Sequence, residues 1–124
     1  MDHSKTSTSV KRPILVGDIG GSNARLSIQK ISDVYHGEVD EVKTEILSSP
    51  DFKDIKTLLK TFLKQFEGTE NYPFIAVIGI CGPIVDNSFS IIANLTWPKA
   101  TGEELAKELN LKEFYFLNDM ESIG

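Results

Sequence analysis

The chain has 124 residues, 40% of them hydrophobic and 25% charged, which suits one compact domain with a core that needs no disulfide or structural metal. Its net charge of -5 excludes the basic face of a nucleic-acid binder and disfavours anionic membrane surfaces. A lone cysteine, Cys81, excludes an internal disulfide framework, and no apolar run is long enough to span a bilayer, so the expectation is a soluble cytoplasmic protein with no nucleic-acid and no membrane partner.

Residues 1–12 are polar, rich in Ser and Thr, and lack the apolar core of a signal peptide, so they read as a flexible tail. Structure is expected from Pro13. Ile14-Leu15-Val16 is short and apolar and stops at Gly17-Asp18, the pattern of a buried strand. After the turn cluster Gly20-Gly21-Ser22-Asn23, residues Ala24 to Ile31 read as a second strand and Val39 to Leu47 as a half-exposed third. Together they predict an antiparallel meander.

The next element is helical. Phe52, Ile55, Leu58, Leu59, Phe62, Leu63 and Phe66 recur at helical spacing, with Ser49-Pro50 as start signal and Gly68 as stop. Phe74 to Cys81 reads as a strand buried on both faces. Asp86-Asn87 suits a hairpin between Ile84-Val85 and Phe89 to Ile92. A second helix starts at Thr101, with Glu104 at capping-box spacing and Leu105 and Leu109 as its buried stripe. Phe114 to Leu117 reads as the last strand. The expected fold is α/β, a mixed sheet in the order β-β-β-α-β-α-β with an added hairpin.

Three segments could carry chemistry. In Gly17-Asp18-Ile19-Gly20-Gly21-Ser22-Asn23 a strand ends in a carboxylate and runs into two glycines. Glycine lets backbone N–H groups approach an anion, Ser22 and Asn23 add donors, and Asp18 beside a phosphate could hold Mg²⁺, directly or through water. The competing reading is a plain hairpin turn. The segment lacks the Lys-Ser/Thr pair of a Walker loop and the spacing of a dinucleotide fingerprint, so any phosphate sits between two strands of a hairpin. Asn118-Asp119 follows a buried strand, at the sheet end where α/β proteins bind ligands. Asp119 there could take a proton from a substrate hydroxyl, and Asn118 could bond neighbouring hydroxyls; the competing reading is a helix N-cap. Ala93-Asn94-Leu95-Thr96-Trp97-Pro98 offers polar groups and a flat ring that suit a sugar, against a loop with a buried Trp anchor.

In this order the three segments resemble the bacterial-type glucokinase family. Leu15 to Leu26 is similar to that family's first phosphate segment. Gly82-Pro83-Ile84 with Asn94-Leu95-Thr96-Trp97 resembles its next block, and Leu117-Asn118-Asp119 its catalytic block. Ser22 stands where the family usually has Thr, which keeps the hydroxyl. The resemblance implies an RNase H-like, actin-type ATPase fold of two lobes, with residues 13–124 as the small N-terminal lobe and the second lobe absent from this chain. It implies ATP and Mg²⁺ as cofactors, with Asp18, Gly20, Gly21, Ser22 and Asn23 around the phosphates and Asp18 as the metal residue. Glucose would meet Asn94, Asn118, Asp119, Gly82 and Pro83, with Asp119 as the general base on the 6-hydroxyl. The implied activity is ATP-dependent phosphorylation of glucose at the entry to glycolysis by the complete protein, which is compatible with a homodimer. This segment alone is expected to be inactive. The alternative is a non-catalytic sugar-binding or regulatory module of the same fold.

Overall fold

The computed structural model describes residues 11–32, 39–92 and 95–118. Three strands, β1 (Lys11–Ile19), β2 (Asn23–Ser32) and β3 (Val39–Ser48), form the expected antiparallel meander. β1 starts at Lys11, two residues ahead of the expected Pro13. Leu15 faces Ile28, Asp18 faces Arg25 and Ala24 faces Leu47, with a bulge at Ile28/Gln29. β4 (Ile75–Ile80) adds to β1 in parallel, and β8 (Glu113–Asn118) adds to β4 in parallel, giving a five-stranded mixed sheet in the order β3-β2-β1-β4-β8.

Parallel pairing needs crossover connections, and the helices are found in them. The sequence start signal at Ser49-Pro50 is displaced: those residues form a 3-10 turn, Ser49–Asp51, and helix α1 spans Ile55–Leu63. The reason is Asp54. Its carboxylate accepts from the Thr57 N–H at 2.7 Å and is the actual N-cap. Those contacts, with the charges of Lys53 and Lys56, outweigh partial burial, which works the other way, and hold the Asp54 carboxyl below its ordinary value. α1 buries Ile55, Leu58, Leu59, Phe62 and Leu63. Phe66 follows in a second 3-10 turn and sets its ring edge-on to Phe62 at 5.4 Å. Gly68, at φ 76°, ends the run as expected. Helix α2 (Gly102–Glu108) is capped by Thr101, whose hydroxyl accepts from the Glu104 N–H at 3.1 Å.

The two helices bury their stripes in one core with Leu15, Ile19, Ala24, Leu26, Ile28, Ala76, Ile78, Ile80, Phe114 and Phe116, all from the same sheet face. Each such side chain contributes roughly 1.5–3 kcal/mol of transfer free energy. β4 is therefore not buried on both faces: Ala76, Ile78 and Ile80 are buried, whereas Ile75 and Val77 on the opposite face are half-buried. On that second face Tyr115 and Leu117 are 44% and 54% exposed, so its apolar row reaches solvent at the β8 edge.

The expected hairpin forms from β5 (Ile84–Val85) and β6 (Ser88–Phe89), and β7 (Ala100–Thr101), which carried no pattern of its own, completes a small second sheet. Asp86 and Asn87 both adopt left-handed backbone, at φ 51° and 56°, as a primed two-residue turn requires. The Asn87 amide then does more than turn the chain. Its Nδ2 donates to the Phe114 carbonyl at 2.6 Å and its Oδ1 accepts from the Phe116 N–H at 2.7 Å, which satisfies the outer edge of β8. Gly102 is confined here, because a Cβ would lie 2.2 Å from Asn87 Nδ2 and 2.5 Å from the Phe114 oxygen.

Candidate functional site at the carboxyl end of the sheet

The parallel register fixes where the chemistry-bearing segments meet. Ile19 of β1 pairs with Ile80 of β4, and Ile80 pairs with Asn118 of β8. Three strands thus end in one row, and two strand spacings of about 4.8 Å separate the start of the glycine turn from Asn118. The turn that follows β1 and Asn118 at the end of β8 lie at the same sheet end.

The turn is tight. Gly20 N–H donates to the Asn23 carbonyl at 2.9 Å, closing the hairpin between β1 and β2. That uses the Gly20 N–H, and among the described residues the N–H groups of Gly21 and Ser22 have no main-chain acceptor. These are the backbone donors an anion would meet. Among the described residues a Cβ on Gly20 would touch only the Asn23 oxygen, at 3.7 Å, so their packing does not demand glycine there. Gly17 is the reverse case: a Cβ would lie 2.6 Å from Leu26 Cδ2 and 2.8 Å from Ile78 Cδ1, so glycine is needed for strand packing.

A cleft of about 350 Å³ opens beside the turn, lined by Asp18, Ile19, Gly20, Asn23, Arg25, Ile46 and Cys81. Three residues expected around a phosphate, Asp18, Gly20 and Asn23, thus share one cavity. Four of the lining residues, Ile19, Arg25, Ile46 and Cys81, were not read as site residues. Arg25 is the cross-strand neighbour of Asp18, so both side chains leave the same face of the sheet. It is the one cation in the lining. Period-2 alternation from Asp18 through a two-residue-closed hairpin is the signal that could have found it. Cys81 was expected as a buried strand residue, but it lies just past the end of β4, half-buried, with its N–H donating to the Ile19 carbonyl at 3.4 Å.

A single carboxylate with a phosphate-sized cleft beside it fits Mg²⁺, which keeps most of its waters and takes one or two carboxylates plus substrate phosphates. Asp18 is the carboxylate in that lining; among the described residues no group of three metal-binding side chains occurs.

The other expected site residues fall elsewhere. Gly82 brings its backbone so close to Ile91 that a Cβ would lie 2.3 Å from the Ile91 oxygen, which makes it a packing glycine. Pro83 is exposed and lines a separate groove of about 250 Å³ with Val85, Asp86, Ser88, Ser90 and Lys99. Asn118 ends β8, exposed, as expected. Asn94 and Asp119 lie outside the described residues. Trp97 is buried and its Nε1 donates to the Phe52 carbonyl at 2.7 Å, so its ring anchors the loop and offers no flat face to a sugar. No helix among the described residues is long and apolar enough to cross a membrane.

The fold, a mixed sheet with two crossover helices on one face, is similar to that of solved glucokinases. It superposes with TM-score 0.73 on the crystal structure of a glucokinase from an Antarctic psychrotroph, at 26% identity over 86% of this chain and 32% of that one. It also superposes with TM-score 0.63 on a Leishmania braziliensis glucokinase, whose 20% identity supports the fold alone. A family model described as Glucokinase matches residues 15–124. Glucokinases of Nostoc sp. and Mesorhizobium japonicum are 32% and 31% identical over 111 and 119 residues. The chain belongs to the glucokinase family. It spans about a third of the length of these relatives, 31% and 32% respectively.

Proposed function

We propose that the protein containing this chain phosphorylates glucose with ATP, and that this chain is its N-terminal, RNase H-like lobe carrying the phosphate turn and the catalytic base. The observation that carries the reading is the row Ile19–Ile80–Asn118, which brings the start of the glycine turn and Asn118 to one sheet end. Phosphoryl transfer asks the protein for positioning and charge stabilisation, which such an arrangement can supply.

In this reading Gly21 and Ser22 N–H groups, with the Ser22 hydroxyl and Asn23 amide, receive the terminal phosphates. Gly20 leaves space for them, and Arg25 offsets their charge from the cleft wall. Asp18 holds Mg²⁺, whose chemistry is to neutralise charge on the transferred phosphate. Asp119 accepts the proton of the 6-hydroxyl, while Asn94 and Asn118 bond other hydroxyls of the sugar. Gly82, through its close approach to Ile91, and the neighbouring Pro83 shape the wall of that side indirectly. The second wall of the cleft comes from the remainder of the protein, so the segment alone is inactive. The complete protein acts in the cytoplasm.

The test is glucose-dependent ADP release by the complete protein, run against a panel of hexoses. Release with glucose supports the reading. Tight sugar binding without turnover would favour a sugar-binding module instead.

A further inference from the structure

Two of the segments assigned to different ligands are joined by a chain of three hydrogen bonds. The Trp97 indole N–H donates to the Phe52 carbonyl at 2.7 Å. The Phe52 N–H donates to the Ser49 carbonyl at 3.1 Å, and the Ser49 N–H donates to the Ser22 carbonyl at 3.1 Å. One end is the loop that carries Asn94; the other is the glycine turn. The middle is the 3-10 turn Ser49–Asp51, where Ser49 is fully buried and Phe52 packs against the core. Trp97 is 7% exposed, so its N–H has no water to turn to if the bond is lost.

Resting on the function proposed above, we infer that Trp97 is a positioning residue for the nucleotide side of the cleft, acting through the Ser49–Phe52 turn. Two of the three bonds join main-chain groups, and the third joins a buried indole to one, so the geometry is set by the turn rather than by mobile side chains. Moving the loop outward must break a buried bond or pull the Ser22 carbonyl, and with it the Ser22 N–H that faces the phosphates. Sugar-loop position and phosphate-turn position are thereby coupled.

The experiment uses Trp97→Phe in the complete protein, which keeps a buried ring and deletes the donor. The matched control is Tyr72→Phe. It also deletes one bond from an aromatic side chain to a buried backbone carbonyl, that of Leu109, and among the described residues none of the Tyr72 hydrogen bonds reaches the turn. At saturating glucose, Trp97→Phe is expected to raise the KM for ATP about threefold to tenfold, the effect of one net hydrogen bond. Tyr72→Phe is expected to leave that KM unchanged while lowering the thermal midpoint. An unchanged ATP KM in Trp97→Phe, or an equal rise in both variants, overturns the inference while leaving the kinase reading intact. A wild-type protein that does not phosphorylate sugar overturns both. Should Trp97→Phe fail to fold, the wild-type protein decides: a non-hydrolysable ATP analogue added without sugar is expected to slow exchange of the Trp97 indole proton, and no change in that rate overturns the inference.

Discussion

Two glycines three positions apart should respond to alanine in opposite ways, because one is required by packing and the other by a ligand. At Gly17 the new methyl would stand 2.6 Å from Leu26 Cδ2 and 2.8 Å from Ile78 Cδ1, both fully buried. Relieving such overlap in a close-packed core costs about 1–3 kcal/mol. At Gly20 the methyl would meet, among the described residues, only the Asn23 oxygen at 3.7 Å, an ordinary contact, and the backbone is outside the left-handed region. Restricting the unfolded chain then gives roughly 0.4–1 kcal/mol of stabilisation, or no change. The same methyl enters the cleft where a phosphate is expected. The assay is thermal unfolding of the complete protein alongside its kcat/KM for ATP. Gly17→Ala should lower the midpoint, and Gly20→Ala should keep it and lose about 10- to 100-fold in kcat/KM, the equivalent of about 1.4–2.8 kcal/mol of transition-state stabilisation. A Gly20→Ala variant with wild-type kinetics would refute the placement of phosphate at this turn. One that unfolds early would refute the open space assigned to its Cβ.

Asn87→Ala removes two bonds to β8 and leaves a carbonyl and an N–H at its edge unpaired, so the thermal midpoint should fall by the equivalent of about 2–4 kcal/mol; a loss under about 0.5 kcal/mol would mean water replaces the amide. Asp54→Ala should cost about 1 kcal/mol at neutral pH, the usual worth of an N-cap. Because the folded Asp54 pKa lies below its ordinary 3.8, the contribution is present above that value and fades as the pH falls through the folded pKa. Wild type and variant should therefore converge in stability at strongly acidic pH, and a gap that stays constant would contradict the cap. Ser49→Ala should be neutral or stabilising by up to about 1 kcal/mol, since the fully buried Ser49 hydroxyl has no hydrogen-bond partner among the described residues; a clear loss of stability would mean that hydroxyl is bonded in solution.

The sequence was most legible where pattern and packing agree. The meander, the α1 stripe, the Thr101 cap and the Asp86-Asn87 turn all stand where periodicity and turn chemistry put them. Helix start signals were less decisive: Ser49-Pro50 carries one, yet Asp54 binds the Thr57 N–H and sets the start of α1. β7 was invisible because two residues, Ala100 and Thr101, have no period to display. At the site, the glycine turn was readable from its composition, but its division of labour was not. Which N–H closes the turn and which remains for a ligand depends on the Gly20–Asn23 bond. Arg25 joins the cleft through its register opposite Asp18, a long-range fact that local composition does not contain. Trp97 had two readings from sequence, and the indole bond to Phe52 decides for the anchor.

The proposed function turns on proton transfer from a sugar hydroxyl to Asp119. Its most direct test is Asp119→Asn in the complete protein, measured by glucose 6-phosphate formation together with glucose binding. The expected result is loss of turnover by at least about 100-fold, the usual contribution of a positioned general base, with glucose affinity held within a few fold. Turnover near the wild-type rate would contradict the claim.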